Sequence, residues 1–113
     1  MHRETLEGTF GDVEIVGDIL LTGMAVGDVR VNPGSVLVLT GLVRGNIELD
    51  AQAVGCEVAG YVTGDVTVFG GTLKLKGHVG GTVFSSPQAE VLVYPGAALR
   101  SLRRLTRSDG RSA

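Results

Sequence analysis

The sequence predicts an all-β chain folded as a single-stranded parallel β-helix, and three observations carry that expectation. The apolar residues are mostly Val and Leu, only 4% of residues are aromatic, and 18 are glycine. β-Branched residues suit pleated strands, and glycine suits tight corners. Four pairs of glycines are spaced by four, at Gly23/Gly27, Gly41/Gly45, Gly60/Gly64 and Gly77/Gly81, and their first members step by 18, 19 and 17 residues. Apolar residues between the corners alternate with period two, so each short strand has one face in and one face out.

Along the chain, "TFGDVEIVGDILL" opens a shortened unit with Gly11-Asp12-Val13 and Gly17-Asp18-Ile19. In the units that follow, the second glycine leads into a small polar residue: Asp28, Asn46, Asp65 or Thr82. An aliphatic comes next, at Val29, Ile47, Val66 and Val83, and another two places on at Val31, Leu49 and Val68. In the fourth unit that last place is Ser85, so the pattern decays. A second alternation runs through Val36/Val38, Val54/Val58 around Cys56, Leu73/Leu75 and Val91/Val93. A unit of this length holds two or three short strands and cannot bury its apolar face alone. Stacked copies bury a continuous stripe, giving about five coils. The glycines then sit at corners where a side chain would meet the next coil, and the Asp and Asn side chains bond nearby backbone. An antiparallel sandwich is the rival architecture, but the near-constant step and phase count against it. A left-handed hexapeptide helix needs an aliphatic at every sixth place, a register that units of 17 and 19 residues break.

The motifs "GLVRGNIEL", "GYVTGDVTV" and "GHVGGTV", with apolar strands such as "TLKLKG", resemble the bactofilins, polymer-forming bacterial cytoskeletal proteins. The resemblance covers residues 8–96. It implies a right-handed, three-sided β-helix and end-to-end assembly into filaments without nucleotide. It also implies that some members attach to the inner membrane through a flexible N-terminal tail. This chain departs from the pattern in its short first coil and in its strongly basic end, "SLRRLTRSDGRSA".

An open solenoid has two exposed sheet edges that must be capped or used. The self-association candidates are therefore Leu6, Phe10, Val13 and Ile15 at one end, and Phe84, Val91, Val93 and Tyr94 at the other. Residues 1–96 form the solenoid in this reading, and 97–113 form a basic amphipathic segment. In that segment Leu99, Leu102 and Leu105 stand three apart, with Arg100, Arg103, Arg104 and Arg107 elsewhere on a helix. A short helix capping the last coil is the first reading, a contact with a membrane surface or an acidic partner the second, and disorder the third. Charge is polarised as well. Glu4, Glu7, Asp12, Glu14, Asp18 and Asp28 come early with no base among them, and the arginines come late, which favours head-to-tail contact, whereas the resemblance implies that like ends meet.

The net charge of −2 argues against a nucleic-acid partner, and the arginine cluster lacks interleaved aromatics. No run is long enough to span a bilayer as a helix. The start "MHRETLEG" has no apolar signal region, and the one cysteine has no internal partner, which points to the cytoplasm or the inner face of the membrane. No catalytic, cofactor-binding or metal-binding residues are expected. His78 takes a place held by Leu42 and Tyr61 in other units, His2 lies near the terminus, and Cys56 falls on an inward phase. No glycine-rich loop ends in Lys-Ser or Lys-Thr, and the early acids recur at turn positions.

These features imply a non-enzymatic, bactofilin-like scaffold whose partner is a second copy of itself. A small binding or inhibitor module, such as an immunity-type protein neutralising another protein, is the alternative suggested by the acidic pI and small size. A membrane-surface adaptor acting through the Arg/Leu tail is the third.

Overall fold

Short apolar pairs separated every few residues by Gly, Asp or Asn leave room for strands of two to four residues and then a corner. The structure, a computed structural model, describes residues 4–104. All regular structure within them is β, and most of the chain repeats one three-strand coil.

The first coil holds β1 (Glu4–Leu6), β2 (Thr9–Phe10) and β3 (Val13–Ile15), and the second holds β4 (Asp18–Leu21), β5 (Met24–Ala25) and β6 (Val29–Val31). The third holds β7 (Val36–Leu39), β8 (Leu42–Val43) and β9 (Ile47–Leu49). The fourth holds β10 (Gly55–Val58), β11 (Tyr61–Val62) and β12 (Val66–Val68). In the fifth, β13 (Thr72–Leu75) precedes the long β14 (His78–Ser85), which serves the second and third sides together. The sixth repeats that plan with β15 (Glu90–Val93) and β16 (Ala98–Arg104). The first strands stack in the order β1-β4-β7-β10-β13-β15, every pair parallel. Partners step by 18 from Ile19 to Leu37, 19 from Leu37 to Cys56, 17 from Cys56 to Leu73 and 18 from Leu73 to Val91. The repeat read from the glycines is therefore the rise of the solenoid itself.

Inside, side chains from successive coils form columns. Leu21, Leu39, Val58 and Leu75 make one, and Val29, Ile47, Val66 and Val83 another, all essentially without exposure. At the corners the backbones touch. A Cβ on Gly60 would overlap the carbonyl oxygen of Gly41 one coil below, and Gly23, Gly41 and Gly77 meet the coil below in the same way. A polar ladder climbs a second corner. Asp12 Oδ1 accepts from Asp28 N–H at 2.9 Å and Asp28 Oδ1 from Asn46 N–H at 3.1 Å. Asn46 Oδ1 accepts from Asp65 N–H, and Asp65 Oδ1 from Thr82 N–H, both at 2.8 Å. At the top, Thr82 Oγ1 and Ser101 Oγ are 2.8 Å apart. The side chains of Asp12, Asp28, Asn46 and Asp65 thus each take up a backbone donor that the next coil's turn leaves free, and Thr82 meets a hydroxyl instead.

Three expectations need correction. There are six coils rather than about five, because residues 98–104 are not a capping helix but β16, the closing strand of the sixth coil. The expected boundary at 96/97 falls inside that coil. The edge of β14 offers unpaired backbone groups, and pairing with them outweighs the helical spacing of Leu99 and Leu102. A register shift between Val79 and Thr82 lets both leucines sit over inward residues, Leu99 over Val79 and Leu102 over Val83. Leu105 and Arg107 lie outside the described residues. The third correction is the phase of two strands. Leu37 and Leu39 face inward, while Val36 and Val38 face out, and Val54 lies on the surface before β10. In "SVLVLTG" both parities are apolar, so alternation alone cannot choose, and a slip of one residue exchanges the faces.

Candidate self-association site

The interior columns have no coil above the sixth among the described residues, and this makes the C-terminal end a site. Val91 sits over Leu73, Val93 over Leu75, Leu99 over Val79 and Leu102 over Val83. The four lower residues are buried. Val93 is 44% exposed and Leu102 is 50% exposed, although both occupy core columns. Val91 and Leu99 are half-buried and pack on the core. Tyr94, the residue after β15, is also exposed, with Lys76 Nζ of the coil below 5.0 Å from its ring centre.

Phe84 does not belong to the end. It faces outward on β14, in register between Thr67 and Arg103, with the sixth coil already stacked beside it. The arginines expected to share a helix lie along β16 instead: Arg100 and Arg103 are exposed on the outside of the last coil, and Arg104 is in register with Ser85. No helical Arg/Leu stripe exists over 98–104, and that stripe was the basis of the membrane reading.

At the opposite end, Leu6 continues the Leu21 column, Phe10 the Ala25 column, Val13 the Val29 column and Ile15 the Val31 column. Leu6, Phe10 and Val13 are half-buried, so each keeps apolar area for a partner. Ile15 is fully buried and offers none. Around them Glu4, Glu7, Asp12 and Glu14 are exposed. The two ends therefore join an open apolar core to an acidic rim at the first coil and to a rim of two exposed arginines and one acid, Glu90, at the sixth.

Elsewhere the chemistry-bearing residues are part of the framework. Burial, and next the carboxylate of Glu57, push the Cys56 thiol up to about 12, so it stays a protonated core group. The ring of His78 stacks on Tyr61 with centroids 4.7 Å apart, in the outward row that also holds Met24 and Leu42. Glu57 and Lys76 pair at 3.2 Å, and Arg30 and Glu48 at 3.6 Å, across neighbouring coils.

Two surface features escape sequence reasoning. One is an apolar outer face made by Leu20, Val36, Val38 and Val54, beside a dimple where Gly55 has no side chain. The other is a notch lined by Asp50, Ala51, Phe69, Ser86, Pro87 and Gln88. It forms because the turns at Asp50–Ala53 and Ser86–Ala89 bracket a coil shortened to Phe69-Gly70-Gly71. The short 17-residue step was the one signal for the notch, and the surplus of valines in "SVLVLTG" the one signal for the apolar face.

Comparison with protein-family models, with curated proteins and with solved structures finds no match to this chain.

Proposed function

We propose that the protein is a non-enzymatic, bactofilin-like cytoplasmic scaffold that self-associates end to end through the open ends of its solenoid. The observation that carries this reading is the exposure of Val93 and Leu102 in columns that are closed from the second coil to the fifth. A second coil-like surface laid on them would bury apolar side chains and pair the free edge of the last coil, and both changes favour association. Val93→Arg and Leu102→Arg place a charge on that surface. Each is expected to reduce large assemblies to small species in sedimentation and negative-stain microscopy, with the β-rich circular dichroism kept. Assemblies unchanged by both substitutions would remove the C-terminal end from the contact.

The notch around Phe69 supports a second reading, a binding module that holds another protein on its side. A free protein that is monomeric at every concentration, together with a tight one-to-one partner whose binding is lost in Phe69→Ala, would favour it.

A further inference from the structure

Two kinds of end-to-end contact can be built from these ends. Like ends can meet about a two-fold axis, or the sixth coil of one copy can seat on the first coil of the next. The solenoid carries three directional features that separate these arrangements.

The first is charge. The first coil presents Glu4, Glu7, Asp12 and Glu14, all exposed, and residues 4–28 contain no Lys or Arg. The sixth coil presents Arg100 and Arg103, both exposed, with one exposed acid, Glu90. Like ends would bring acids to acids and arginines to arginines.

The second is a row of outward residues on the third side of the solenoid. Register carries it from Glu14 through Arg30, Glu48, Thr67 and Phe84 to Arg103. Within this row Arg30 and Glu48, on adjacent coils, already pair at 3.6 Å. A second copy continuing the stack at the ordinary strand spacing of about 4.8 Å sets its Glu14 next to Arg103 in the same geometry.

The third is the corner ladder. In the chain from Asp12 to Thr82, a backbone N–H of the upper coil donates to a side-chain oxygen of the coil beneath. Asp12 is the foot of the ladder, with no described coil below its N–H. Ser101 is the top, with a hydroxyl oxygen able to accept. One end thus offers a donor and the other an acceptor, and only unlike ends complete the series. The interior columns also continue, with Val93 meeting Leu6, Leu99 meeting Phe10 and Leu102 meeting Val13. Two positions oppose the contact: Glu4 heads the column that ends in Val91, and Ile15 heads the column that ends at Arg104.

We infer that the contact is head-to-tail, with a second copy's first coil seated on the sixth coil, Glu14 beside Arg103 and Asp12 N–H donating to Ser101 Oγ. This inference rests on the end-to-end reading above and adds a polarity to it. The assembly is a polar rod in which every contact is the same and none closes the chain.

Charge reversal tests it, because Glu14 and Arg103 are exposed and their substitution leaves the core intact. The full-length protein is assembled at low salt, and the concentration at which large species appear is measured by light scattering. Glu14→Arg alone and Arg103→Glu alone each put like charges across the contact. Each is expected to raise that concentration roughly three- to tenfold, less so at high salt. The double variant Glu14→Arg/Arg103→Glu restores opposite charges and is expected to assemble like the parent chain. An equimolar mixture of the two single variants is expected to recover as well, since they can alternate. Single variants that assemble normally, or a double variant no better than the singles, would overturn the polarity while leaving end-to-end stacking intact. A parent chain that stays monomeric at every concentration would overturn both.

Discussion

At the scale of single residues, the solenoid is governed by what can stand between coils. Gly60 is glycine because the carbonyl of Gly41 occupies the space of a Cβ, whereas Asp28, Asn46 and Asp65 are polar because each must reach a backbone N–H one coil away. Cys56 is the residue whose chemistry is most changed by the fold. Its thiol holds a proton to about 12 instead of 9.0, through burial first and the charge of Glu57 second. In the unfolded chain the thiol ionises earlier, so the folded state binds the extra proton in the interval between. Below the unfolded value this costs nothing. As pH rises from about 9 toward 12, stability should fall with a slope of at most about 1.4 kcal/mol per pH unit from this group. Urea unfolding of the parent chain and of Cys56→Ala at several alkaline pH values checks it: the variant should show a shallower alkaline decline. Equal slopes would mean that the thiol does not retain its proton.

At the scale of the strand, phase decides everything. Apolar alternation identifies strands, yet it cannot orient one whose two faces are both apolar. For β13, "TLKL" has lysine on the outer parity, and the inward pair Leu73/Leu75 is legible. For β7, "VLVL" is apolar on both, and only the columns formed with Ile19 and Cys56 select Leu37, and those with Leu21 and Val58 select Leu39. Adjacent substitutions in β7 should therefore differ sharply. Leu37→Ala empties a closed column and is expected to cost about 2–5 kcal/mol, while Val36→Ala, half-buried on the outside, is expected to cost under about 1 kcal/mol. Comparable losses on denaturant unfolding would put the strand in the opposite phase. β16 shows the same limit from another direction. Leucines three apart fit a helix, but they also fit a strand with a bulge, and the unpaired edge of β14 favours the strand.

At the scale of the whole molecule, each coil touches only its neighbours, so the energetic weight of a column position depends on how many coils flank it. Leu75 and Val93 share a column, one beneath the last coil and the other in it. Leu75→Arg would bury a charge with no partner and is expected to unfold the protein at room temperature. Val93→Arg leaves the charge at a half-exposed rim, and its melting temperature should stay within a few degrees of the parent. A large loss from both in a thermal melt of the monomer would show that Val93 is covered in solution. The same asymmetry makes the ends the natural place for association, since among the described residues the core columns stop there without being closed.

The repeat, its steps of 18, 19 and 17 residues and the identity of the corner residues are legible in the chain alone. These follow from local rules: a corner pressed against the next coil excludes a Cβ, and a turn leaves backbone donors for Asp and Asn to satisfy. The chain also marks the ends as the place to look, with Val91 and Val93 at one and Leu6, Phe10 and Val13 at the other. The tertiary structure decided the rest. It turned residues 98–104 into a strand, moved Phe84 to the side, closed Ile15, and assigned Leu37 rather than Val36 to the core. The physical reason is common to all four. Each outcome depends on which neighbour lies one coil away, some 15 to 20 residues distant in the chain, and no local spacing encodes that neighbour.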